Sequence, residues 1–168
     1  NMGDLYSEYL VKKKPTALDA VIKYGLIILT VLAALAGLFV SPVILVLAVI
    51  FGVVSYFVIP KTDIEYEYLF VNGELDIDMV MAKTKRKKVN TFDLREADLI
   101  APVNSQRMAY YNNNSKLKTL DYSSGDESHR RFAVIIRADG ATCKVILEPD
   151  DTMAQAIKNS APSKVFLD

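Results

Sequence analysis

The chain has one cysteine in 168 residues. Cys143 can close no internal disulfide and supplies no cysteine-based zinc site. Its setting, Thr142-Cys143-Lys144-Val145, alternates like a strand, so Cys143 is expected to pack as a small core residue. Histidine is equally scarce. His129 stands alone in the polar run Ser124-Gly125-Asp126-Glu127-Ser128-His129-Arg130, which reads as a solvated loop. No second histidine or thiol supports it, so no metal site is expected. Ser128, His129 and Asp126 are sequence neighbours, which is not how a nucleophilic triad is recognised. The seven glycines are scattered and form neither G-x-G-x-x-G nor G-x-x-x-x-G-K. A phosphate-cradling nucleotide loop is therefore excluded. No cofactor and no catalytic residue is expected. Charge of one sign is also missing: 20 basic and 20 acidic residues cancel. Bulk charge gives no reason to expect nucleic acid.

The most informative absence is local. Residues 24–60 carry no charged side chain at all. Residues 24–40 read YGLIILTVLAALAGLFV, Ser41-Pro42 follows, and residues 43–60 read VILVLAVIFGVVSYFVIP. One continuous helix of that length would run about 55 Å, against a hydrocarbon core of about 30 Å. Cut at Ser41-Pro42, it becomes two spans. Ser41 is placed to cap the second helix and Pro42 to open it, while Gly37 loosens the end of the first. Ala34-Leu35-Ala36 resembles a signal-peptidase site, but a second apolar stretch follows at once. A buried hairpin of a soluble protein would keep a polar stripe, and none is present. Inside the spans Thr30 and Ser55 can bond back to their own helices. The lack of intramembrane ionisable residues argues against a transporter, channel or proton relay. Lys12, Lys13, Lys14 and Lys23 precede the pair; Lys61 and the run Lys83, Lys85, Arg86, Lys87 and Lys88 follow it; the turn carries nothing. The positive-inside rule then predicts a cell-membrane protein with both termini cytoplasmic.

Before the spans, Met2 reads as the natural start, and Met2-Gly3 to Ser7 formally matches a myristoylation pattern that a hydrophobic hairpin makes unnecessary. Residues 4–11 suggest a short amphipathic helix with Leu5 and Tyr9 on one face. Lys14-Pro15-Thr16 breaks it, with Thr16 or Asp19 capping the first span. After Asp63 the period becomes two. Ile64, Tyr66, Tyr68 and Phe70 face one way, then Asn72-Gly73 turns the chain, and Leu75, Ile77, Met79 and Met81 share a face. Further strands are expected over 88–94, 99–103, 116–122, 131–137 and 142–147, with Asp139-Gly140 as a second hairpin turn. Tyr110-Tyr111 is expected to finish a strand. Pro149-Asp150-Asp151 opens a helix carrying Met153, Ala156 and Ile157.

Seven short, mainly antiparallel strands and a C-terminal helix are the order of a pleckstrin-homology-like roll. The segment YEYLFVNGELDIDMVMAKTKRKKVNTFDLREADLIAPV, residues 66–103, resembles bacterial pleckstrin-homology-like domains, which often sit beside paired transmembrane helices. The whole chain is similar to an uncharacterised family of small membrane-anchored proteins from anaerobic Gram-positive bacteria. The resemblance implies a fold and transfers no catalytic or binding residue. The expected architecture is α+β: an N-terminal cytoplasmic segment over 1–19, a transmembrane helical hairpin over 20–60, and a pleckstrin-homology-like domain over 62–168. The expected function is a non-enzymatic, membrane-anchored binding or scaffold module, whose partners are the bilayer and a protein partner or a second copy. The alternative is a sensor of anionic lipid headgroups through Lys83, Lys85, Arg86, Lys87 and Lys88, each cation near an anionic surface adding about 1 kcal/mol. A solvated strand edge is the competing reading of that run. Aromatic interleaving is absent from it, so nucleic acid is not expected there. Glu65, Glu67, Asp76 and Asp78 are expected on the outward strand faces, opposite the basic run.

Overall fold

The computed structural model describes residues 6–168. Met2, Gly3, Asp4 and Leu5 lie outside the described residues, and with them the start of the amphipathic segment and of the myristoylation pattern. The chain separates into two compact units. One comprises residues Pro15–Ile64 with Val80–Lys85, and the other holds the remainder of the strands and the C-terminal helix.

The first unit is a helical hairpin. Helix α1 spans Ala17–Phe39 and α2 spans Ile44–Val58, continued by a 3-10 turn over Ile59–Thr62. Thr16 caps α1 in a full capping box: its hydroxyl accepts from the Asp19 N–H, and the Asp19 carboxylate accepts from the Thr16 N–H. Ser41 does not cap α2. Val43 occupies that position without a side-chain bond, and tight carbonyl contacts from Ser41, Pro42 and Val43 start the helix instead. Gly37 matters for closeness more than for looseness. A Cβ there would come within 2.5 Å of the Leu45 side chain and 2.9 Å of its backbone nitrogen. Thr30 and Ser55 bond back to the Leu26 and Phe51 carbonyls and face each other across the pair at 3.5 Å. Helix α1 and the helical stretch Ile44–Thr62 are long and apolar enough to cross a membrane, with mean hydropathy 2.2 and 2.3. Their outer side chains are bare: Phe39 is 83% exposed, Val43 76% and Leu38 69%.

In the second unit the described residues form two four-stranded sheets. The first has the order β1-β2-β3-β4, with β1 over Tyr6–Lys12, β2 over Ile64–Val71, β3 over Glu74–Met81 and β4 over Lys85–Asp93. The second has the order β5-β7-β8-β6, from Leu99–Pro102, Lys118–Asp121 (β6), Phe132–Ala138 (β7) and Ala141–Leu147 (β8). Strand β6 runs parallel to β8, while β5 and β8 run antiparallel to β7. The amphipathic helix expected over 4–11 is a strand from Tyr6 onward. It pairs antiparallel with β2, Tyr6 opposite Val71 and Lys12 opposite Glu65. The i, i+4 spacing of Leu5 and Tyr9 suggested a helix, but the buried positions Ser7 and Val11 also fit a period of two, and the ladder on β2 decides. The chain thus leaves β1, makes both helices, and returns to the neighbouring strand.

Asn72-Gly73 and Asp139-Gly140 turn as expected, all four residues at positive φ. The core holds Tyr68, Phe70, Leu75, Ile77 and Leu94, each fully enclosed. The Tyr68 hydroxyl donates to the Tyr122 carbonyl and accepts from the Glu148 N–H at 3.2 Å. Burial raises its pKa well above the ordinary tyrosine value. Along β3 the buried phase shifts from Leu75 and Ile77 to Val80, so Met79 and Met81 do not continue the buried face. Tyr110-Tyr111 does not end a strand: it lies in the short helix α3, Ala109–Asn112. Helix α4, Asp151–Ser160, is capped by the Asp150 carboxylate and buries Met153, Ala154, Ala156 and Ile157.

Candidate functional site

The basic run is part turn and part strand. It begins in a two-residue turn, Ala82-Lys83, and continues as the first half of β4, an edge strand of its sheet. The turn is unusual. Ala82 and Lys83 both have positive φ, 52° and 60°, with neither glycine nor asparagine between them. The Thr84 N–H donates to the Met81 carbonyl at 3.1 Å, and the Ala82 N–H donates to the Asp63 carbonyl at 2.8 Å. The turn is thereby fixed to the end of the helical hairpin.

From there the five predicted residues part company. Lys83 and Lys85 belong to the helical unit, where the Lys85 ammonium lies 5.0 Å from the Tyr56 ring centre and 5.9 Å from that of Phe57. Arg86 and Lys88 belong to the strand unit and turn onto the outward carboxylates. Arg86 reaches Glu67 at 2.7 Å and Asp78 at 3.3 Å, and Lys88 lies 3.8 Å from Asp76. The Glu67 carboxylate first, then Asp78, raises the Arg86 pKa above its ordinary value. The Thr91 hydroxyl also donates to Asp76 at 2.8 Å. The acidic face therefore does not stand apart from the basic run; it holds two of its members. With Arg86 about half exposed, solvent screens these pairs and they add little to stability. Lys87 is exposed. Among the described residues no carboxylate lies within ion-pairing distance of Lys83, Lys85 or Lys87.

Glu67, Leu69, Asp76, Asp78, Arg86 and Lys88 line an open concavity of about 370 Å³. An apolar crevice under α4, of about 10 Å³, has room for one water molecule at most. His129 is better connected than its sequence neighbours suggested. Its Nδ1 lies 3.2 Å from Glu148 and 3.3 Å from the Ser124 hydroxyl, and its Nε2 lies 3.5 Å from Asp126. The Ser124 hydroxyl donates to Glu148 at 2.6 Å, so serine and acid share one ring nitrogen. The serine proton is thus directed to the Glu148 carboxylate and not to the imidazole that a relay would need as its base, and this arrangement is a loop clasp. Cys143 is buried as expected. Among the described residues no cluster of His, Cys, Asp and Glu could hold a metal ion.

Sequence reasoning missed Tyr56 and Phe57 as neighbours of Lys85. The only available signal was their place at the end of an apolar span. A family model described as "Bacterial PH-like domain (DUF6106)" matches residues 3–167. No curated protein and no solved structure matches the chain.

Proposed function

The chain belongs to the bacterial PH-like domain family DUF6106, and on that premise we propose that it is a non-enzymatic binding or scaffold module anchored at the cytoplasmic face of the cell membrane. PH-like domains are generally non-catalytic. One observation carries the reading. The two apolar helices lie between strands that pair side by side, Lys12 opposite Glu65. Paired strands occupy one side of a bilayer, so the helices cross it together and return. The flanking lysines favour the cytoplasm for that side. The domain then works as a tethered surface. Strands β1 and β6 end their sheets and offer edges to which a partner strand can add. The edge at β4 is guarded by its lysines and arginine.

The full chain, purified from membranes in mild detergent, is expected to retain a protein partner or a second copy. Introducing proline at Glu8 should release it by weakening the β1 edge. A chain that is monomeric and alone before any substitution would sink the scaffold reading.

A second reading is favoured by Lys85 over the Tyr56 and Phe57 rings: the run Lys83, Lys85, Arg86, Lys87 and Lys88 senses anionic lipid headgroups. Replacing all five by glutamine should weaken the preference of the protein for anionic over zwitterionic vesicles, most clearly at low salt.

A further inference from the structure

We propose that the phosphate of an anionic lipid is held by Lys83 and Lys85 at the end of the helical hairpin, and that Arg86 and Lys88 take no part. This rests on the anchored reading above and divides the basic run within it. Three observations converge on the division. First, the pairing differs: Arg86 and Lys88 are engaged by Glu67, Asp78 and Asp76, whereas among the described residues Lys83 and Lys85 have no carboxylate partner. A headgroup would have to displace carboxylates from the first pair and nothing from the second.

Second, Lys85 stands over two aromatic rings that close an apolar helix. Tyrosine at such an end favours the level of the headgroups, and an ammonium on its face is set at that level. Third, the turn that presents Lys83 is strained. Among the described residues, the other two turns with paired positive φ use Asn-Gly and Asp-Gly, yet here the chain uses Ala82-Lys83. A non-glycine residue held in that region is retained where the surroundings over-determine it, and such positions gather at binding sites. The Asp63 carbonyl supplies the restraint by accepting the Ala82 N–H. Lys61 follows α2 in the same unit and adds a further exposed cation.

The experiment uses the full chain in nanodiscs made from equal parts phosphatidylglycerol and phosphatidylcholine. The lipid retained after transfer to detergent is measured by mass spectrometry. Wild type should enrich phosphatidylglycerol. The Lys83→Asn, Lys85→Gln pair should lose that enrichment, by roughly fivefold per lysine; asparagine keeps the left-handed turn accessible. The Arg86→Gln, Lys88→Gln pair should keep it. Loss in both pairs, or loss only in the second, overturns the division. Incorporation without enrichment overturns this inference alone, and a chain that never enters the lipid overturns the anchored reading with it.

Discussion

Gly73 and Ala82 both occupy left-handed turn positions and predict opposite outcomes. Gly73 sits at φ 89°, and a Cβ there would come within 2.6 Å of the Arg95 side chain. Gly73→Ala should lower stability by about 1–2 kcal/mol from the backbone alone. Ala82 already bears that cost at φ 52°. Ala82→Gly should raise the unfolding midpoint in detergent, up to the limit set by glycine's greater freedom when unfolded. Tyr68→Phe should cost about 1–3 kcal/mol, because the Tyr122 carbonyl and Glu148 N–H lose a buried partner. Chemical denaturation measures all three. Acid sensitivity is also a residue property. Bonds from Arg95 hold the Asp93 pKa below its ordinary value, and bonds from Ser128 do the same for Asp126. A lowered carboxylate pKa gives stability that is complete above the unfolded value, about 3.9, and is lost as pH falls through the folded one. The midpoint should therefore drop below about pH 4, and the Asp93→Asn, Asp126→Asn double variant should show a shallower drop.

Among the elements, strand β1 changes what counts as the domain. A boundary at residue 62 leaves β2 without its neighbour and uncovers the side buried by Val11. Residues 12 and 65 are partners, and paired Cα atoms lie about 5 Å apart. Replacing residues 13–64 by Asn-Gly should therefore give a soluble, β-rich domain by circular dichroism. A chain beginning at residue 62 should be less stable and self-associate through the bare β2 edge. Equal stability of the two would show β1 to be dispensable. This is also where the sequence was least legible. The helices could be read because a 37-residue stretch without charge has few other meanings. The Asn72-Gly73 and Asp139-Gly140 hairpins could be read because their residue types announce positive φ. Strand β1 could not, since its partner lies across the whole hairpin and Tyr-Ser-Glu-Tyr-Leu suits a helix equally well. The Ala82-Lys83 turn gave no local sign, and the engagement of Arg86 and Lys88 by three carboxylates depends on the cross-strand arrangement that only the fold supplies.

For the molecule as a whole, sidedness is the testable property. A reporter active only outside the membrane, fused after Asp168, should stay silent, and one active in the cytoplasm should work at either end. Activity outside would overturn the cytoplasmic assignment and the headgroup reading that depends on it. The insertion of both helices between β1 and β2 also has a consequence in time. During synthesis β1 emerges first, but the strand it pairs with does not exist until the two apolar segments have been made. On the anchored reading proposed above, Tyr6–Lys12 waits, unpaired, while those segments are delivered to the membrane. Its ladder can close only if delivery brings the chain back to the side where it started. A chain stranded halfway, with one helix across and one not, leaves β1 and β2 on opposite sides. Completion of the sheet thus reports that the anchor went in correctly, and a protease that attacks an unpaired N-terminal strand would remove the failures.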